Sequence, residues 1–142
     1  MQKIQTVMAA VDFSDYSLPV LRQATDICKA LSAGLLMVNV INQRDVDALK
    51  FVEAMSSLSD FSPTSFIQEQ ELKRTKNMRS LLQQINGETP GVDFVIMVGV
   101  PFEQLIRAVQ ENNADLVVMG PKGRGNLAHV FFGTTAEKMF RH

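Results

Sequence analysis

The sequence has no tryptophan, one tyrosine and one cysteine among its 142 residues. A lone cysteine, Cys28, excludes an internal disulfide and any metal site built on several thiolates, and no histidine pair or carboxylate cluster has metal-ligand spacing. Neither sign of charge prevails: 14 lysines and arginines stand against 15 aspartates and glutamates, a formal net charge of -1. Such a chain has no global pull toward nucleic acid or an anionic membrane, so any anion it binds is held by local geometry. No apolar run approaches the roughly 20 residues that cross a bilayer, and the amino terminus lacks a signal-peptide arrangement. A cytoplasmic protein with no nucleic-acid and no membrane partner is therefore expected. What remains is 46% hydrophobic and 20% charged, the balance of one domain over 1–142 with one sizeable core.

Apolar runs and helical periods alternate along the chain. "IQTVMAAVDF" reads as a short buried strand ending at Asp12. A helical period follows through Leu18, Leu21, Ala24, Ile27 and Leu31, with Ser14 or Ser17 as its cap, Pro19 in its first turn and Gly34 at its end. "LLMVNVI" is a second buried strand, interrupted by an amide at Asn39 that needs partners. From Asn42 to about Ser65 no period is sustained; a short helix around "VDALKFVEAM" and a mobile flap are expected there. A helix from Phe66 is solvated in its first half and carries Met78, Leu81, Leu82 and Ile85 on one side, until Gly87, Pro90 and Gly91 stop it. "VDFVIMVG" is the third strand, "PFEQLIRAVQENN" a helix with Pro101 at its start, and "ADLVVMG" the fourth strand. This alternation predicts an α/β fold, an open, mostly parallel twisted sheet with helices on both faces.

In such sheets ligands collect beyond the carboxyl ends of the strands, where the strand order reverses. Asp12, Val40, Gly99 and Gly120 all fall near those ends. After the fourth strand comes "GPKGRG", in which Gly120, Gly123 and Gly125 let main-chain N–H groups meet an anion and Lys122 and Arg124 add positive charge. Ten residues beyond Gly123, Gly133 precedes "TTAE", a capping box with Thr134 at the N-cap and Glu137 three residues on. A helix start of this kind suits phosphate. The two devices together can grip a polyphosphate from two sides. The order is not that of a P-loop, and the first strand does not lead into G-x-G-x-x-G, so P-loop and ordinary dinucleotide readings are disfavoured. His129, in a short apolar piece, reads as packing or surface; Met119, just before Gly120, is placed to pack on a base or ribose.

The glycine spacing resembles that of universal stress protein domains of the ATP-binding type. Gly120, Gly123, Gly133 and Thr134 match the family's G-x2-G-x9-G-[ST], and "AAVDFSDYS" is close in kind to its first strand with the aspartate and serine that follow. The resemblance implies a parallel sheet of order 3-2-1-4-5, of which this chain would supply 3-2-1-4 and lack the fifth strand. It implies that Ala10, Asp12 and the backbone near Val40 meet the adenine and ribose of ATP. Met119, Gly120, Gly123 and Arg124 would line the ribose and phosphate side, and Gly133, Thr134 and Thr135 would hold the phosphates. Magnesium or manganese would bridge those phosphates, with no ligand set from the protein alone. A homodimer or tandem-domain partner and a role in stress response are also implied. Nothing marks a residue that takes the γ-phosphate or orients water, so a binding module is expected, with a slow ATPase or autophosphorylating enzyme and a nucleotide-free dimeric interaction module as alternatives.

Overall fold

The computed structural model describes residues 3–55, 62–85 and 91–120. In chain order the elements are β1 (Thr6–Ala10), α1 (Ser17–Leu31), β2 (Gly34–Asn42), α2 (Gln43–Met55), α3 (Pro63–Gln83), β3 (Val92–Gly99), α4 (Pro101–Asn112) and β4 (Leu116–Val118). The strands form one parallel sheet of order β3-β2-β1-β4. Successive side chains of a strand point to opposite faces, so a parallel strand covered on both sides must be apolar throughout. β1 meets that demand: Val7, Met8 and Ala9 are all fully buried.

The two faces carry separate cores. Val7, Ala9, Leu35 and Met37 pack under α1 and α3 with Leu21, Ala24, Cys28 and Met78. Met8, Leu36 and Val38 face α4 through Leu105 and Ala108. Each fully buried Leu or Met contributes about 1.5–3 kcal/mol. Cys28 is part of the first core; burial pushes its thiol pKa up, and Sγ donates to the Gly34 carbonyl at 3.5 Å.

Several local signals act differently from their sequence reading. No side chain caps α1: Ser17 is its first residue and Ser14 bonds the Tyr16 N–H. The helix closes at Ser32, whose backbone is left-handed at φ 53, while Gly34 already opens β2. α2 is longer than expected and begins where Asn42 Oδ1 accepts from the Arg44 N–H at 3.0 Å. Its period was faint because Val46 is its one buried residue. α3 starts three residues before Phe66, at Pro63, where Ser62 Oγ accepts from the Ser65 N–H. Residues 56–61, within the expected flap, and Gly87 and Pro90 lie outside the described residues. Gly99 ends β3 with φ +153, and a Cβ there would come within 2.6 Å of the Gln104 side chain.

β4 is short but firmly placed. Asp115, just before it, accepts the N–H groups of Gln5 at 2.8 Å and Thr6 at 3.0 Å through one carboxylate oxygen, and its own N–H donates to the Thr6 carbonyl at 2.9 Å. The Gln5 bond first, then that of Thr6, lowers the Asp115 pKa. A carboxyl that titrates lower in the folded state stabilises fully above its unfolded pKa, and that contribution is lost as pH falls through the folded value. Asp115→Asn should therefore lower the melting temperature at neutral pH and leave a shallower fall in stability on acidification below about pH 4. Superimposable thermal profiles of the two proteins from pH 7 to pH 3 would remove this clamp from the fold.

Candidate functional site

From β1 the chain order runs outward through β2 to β3, whereas β4 lies on the other side of β1. The order thus reverses between β1 and β4, which opens a crevice at their carboxyl ends. The last pair across it is Ala9↔Val118. Ala10 ends β1 and Asp12 follows two residues later; Met119 and Gly120 directly follow β4. The structure therefore brings Ala10, Asp12, Met119 and Gly120 to one end of the sheet, all half-buried. Val40 is two residues from the carboxyl end of β2, opposite Met97 of β3. Gly123, Arg124, Gly133, Thr134 and Thr135, with Lys122, His129 and Glu137, lie outside the described residues.

The turn after β1 is built around Asp12. Its Oδ1 accepts from the Ser14 N–H at 2.9 Å and from Ser17 Oγ at 3.2 Å, and Ser17 Oγ in turn accepts from the Asp12 N–H at 3.3 Å. Both capping and binding roles are thus open to one carboxylate, because Oδ2 accepts no hydrogen bond from the described residues. Phe13, between Asp12 and Ser14, has a left-handed backbone at φ 64, an uncommon state for a bulky side chain.

Beside this turn lies a polar bridge. Asn39 is 3% exposed; its Nδ2 donates to the Val11 carbonyl at 2.7 Å, and its Oδ1 accepts from Arg74 Nη1 at 2.7 Å. Arg74 Nη1 also donates to the Val40 carbonyl at 3.2 Å, and its Nε donates to Gln70 Oε1. The buried amide has the partners its burial requires, and one of them brings a guanidinium from α3 to the strand ends. Arg74 was not singled out from the sequence, where it stands within a run of solvated charge. A signal existed: Arg74 is one helical turn before Met78 on the inward stripe of α3.

A cavity of about 120 Å³, lined by Thr6, Gly34, Gly91, Asp93 and Asn112 among others, lies at the amino ends of the strands. It has no part in the crevice. No group of three or more His, Cys, Asp or Glu residues able to hold a metal occurs among the described residues. No helix among them is long and apolar enough to cross a membrane.

The universal stress protein family matches residues 3–142. The chain belongs to that family. It is 22% identical to universal stress protein MJ0577 of Methanocaldococcus jannaschii over 142 residues, which covers 95% of this chain and 87% of that one. A universal stress protein of Thermus aquaticus is 26% identical over 138 residues, covering 95% of this chain and 90% of its own. Among solved structures, UspA of Lactobacillus plantarum superposes with a TM-score of 0.77 at 17% identity, over 100% of this chain and 94% of that one. A universal stress protein solved in complex with cAMP superposes with a TM-score of 0.60 at 20% identity, over 99% and 91%. At these identities the superpositions establish the fold.

The bridge makes a quantitative expectation. Asn39→Leu keeps the branching at Cγ but strips the Val11 carbonyl and the Arg74 guanidinium of a partner, and should cost about 2–4 kcal/mol in denaturant unfolding. A cost below about 0.5 kcal/mol, the range of neutral surface changes, would show that the bridge adds nothing to the fold.

Proposed function

We propose that this universal stress protein binds an adenine nucleotide, ATP, at the carboxyl ends of β1 and β4 and acts as a cytoplasmic regulatory domain in stress response. The observation that carries the reading is the reversal of strand order beside Asp12 and Met119–Gly120, from which the chain runs directly into the G-x2-G-x9-G-[ST] spacing. Asp12 accepts from the ribose through Oδ2, Ala10 and the backbone at Val40 border the base, and Met119 packs on base or ribose. Gly120, Gly123 and Arg124 approach the phosphates, and Gly133, Thr134 and Thr135 hold them at a helix start. A relative by fold was solved with cAMP, itself an adenine nucleotide.

Magnesium or manganese, when bound, would neutralise phosphate charge and arrive with the nucleotide. The protein's own part is to bind and orient. Asp12 stands at the nucleoside end, away from the γ-phosphate, which favours a binding module over an efficient enzyme. A homodimer or a tandem-domain partner is the form in which such a module passes on its ligand state.

Titration of nucleotide-stripped protein with ATP, with and without magnesium, should give saturable binding in a range on the order of micromolar. Absence of binding at millimolar ATP in folded protein would overturn the reading, and product release faster than about one turnover per second would make it an enzyme instead. Gly123→Val should weaken ATP by about a hundredfold without changing the melting temperature, because a branched Cβ fills the space that phosphate needs. Unchanged affinity would remove Gly123 from the site.

A further inference from the structure

Ser17 carries a hydroxyl that the helix it opens does not use. A serine at a helix start ordinarily accepts from a helical N–H, but α1 has no such side-chain cap. The Ser17 residue is 2% exposed, and among the described residues its Oγ bonds only Asp12. It donates to Asp12 Oδ1 at 3.2 Å and accepts from the Asp12 N–H at 3.3 Å. A hydroxyl taken out of water costs free energy unless it is bonded, and here all of that bonding goes to one residue. The main chain at this point is held without Ser17. Val11, the residue before Asp12, donates its N–H to the Val38 carbonyl at 2.9 Å, and its own carbonyl accepts from Asn39 Nδ2 at 2.7 Å. β2 thus fixes the chain up to Asp12, and what Ser17 adds is the direction of the carboxylate.

Two donors meet on one carboxylate oxygen: the Ser14 N–H and the Ser17 hydroxyl both reach Oδ1. Oδ2 has no partner among the described residues. A carboxylate held by one donor can still turn about that bond, whereas two donors on the same oxygen fix where the other oxygen lies. We propose that Ser17 is a positioning residue of the candidate nucleotide site: by fixing Asp12 Oδ1 it aims Oδ2 at the ribose hydroxyls, and so makes the site selective for ribonucleotides over nucleotides that lack those hydroxyls. An ionised carboxylate only accepts hydrogen bonds, so a sugar without hydroxyls leaves Oδ2 unpaired. The proposal rests on the reading above that Asp12 meets the ribose. It adds the residue that orients Asp12 and the class of sugar that the site selects.

ATP and 2′,3′-dideoxy-ATP carry the same base and phosphates and differ in the sugar hydroxyls, so the ratio of their affinities isolates the reading of the ribose. Wild-type protein should favour ATP about tenfold or more, the size of one hydrogen bond to a charged group. Asp12→Ala should bring the ratio to about one. Ser17→Ala should lower it to about threefold or less, with the affinity for the dideoxynucleotide kept within about twofold. In the Asp12→Ala protein the same change should move the ratio no further, because Ser17 acts through Asp12. Ser17→Thr restores the hydroxyl and should restore the ratio; Ser17→Cys, close in size but a weak donor, serves where the alanine variant does not fold. A Ser17 that serves only the fold would weaken both nucleotides together with the ratio fixed, and that result overturns the proposal while leaving nucleotide binding intact. Equal affinity of the wild-type protein for the two nucleotides overturns it as well. If folded wild-type protein binds neither triphosphate, the nucleotide reading itself fails and the proposal falls with it.

Discussion

Every other element takes its position from β1. It is hydrogen-bonded along both edges, to β2 and to β4, and its middle residues are buried on both faces. A five-residue strand with no polar side chain between Thr6 and Asp12 can be satisfied only in the middle of a parallel sheet with helices above and below. Once it is there, β2 and β3 extend the sheet on one side, and β4 must take the other. The reversal of order that opens the crevice is thus a consequence of where β1 sits. Asp12 is the first charged residue past this strand, so the candidate site begins where the burial of β1 ends.

Ending β1 so early has a cost at its neighbour. β2 runs on to Asn42, and the side of it that β1 has vacated contains a buried amide and an outward carbonyl. Polar groups left unpaired in such a place cost on the order of 1–3 kcal/mol each. α3 meets that demand with Arg74, and the helix is thereby fixed to the carboxyl end of the sheet by hydrogen bonds as well as by Met78. Packing sets the distance of α3 from the sheet; the polar bridge sets its position along the strands. The same bonds that complete the fold place a cation next to the candidate site.

How much of this could be read in advance follows from how local each signal is. β3 was legible to the residue, because "VDFVIMVG" is an apolar run closed by a glycine whose φ no other residue adopts with ease. The alternation of elements announced a parallel sheet, whereas its order, with the reversal at β1, came only from the family resemblance that the spaced glycines carry. The caps of α1 were misread because Ser14 and Ser17 are drawn into the turn of Asp12, a competition between side chains that no spacing rule contains. α2 was faint because a helix that buries one residue has almost no period to show. Asn39 announced that it needed partners, but the arginine that answers it is 35 residues away, among four cationic side chains of which sequence alone does not say which turns inward.

The turn at Phe13 shows how fold and site share one cost. A left-handed bulky residue is unfavourable by roughly 1–2 kcal/mol, and a glycine would adopt that angle freely. A glycine would also leave Asp12 on a loose loop. Here the phenylalanine side chain packs against the core beneath α1, and that burial, about 1.5–3 kcal/mol at most for a ring only partly covered, offsets the strain. Just before it, Asp12 Oδ1 is held by the Ser14 N–H and by Ser17 Oγ. The carboxylate therefore has its orientation before any ligand arrives, and under the proposed function a nucleotide that met Oδ2 would spend none of its binding free energy on ordering the turn. Strain next to a ligand group is tolerated when the surrounding contacts over-determine the conformation, and three independent contacts do so here. The unusual backbone angle and the readiness of Asp12 are two aspects of the same packing.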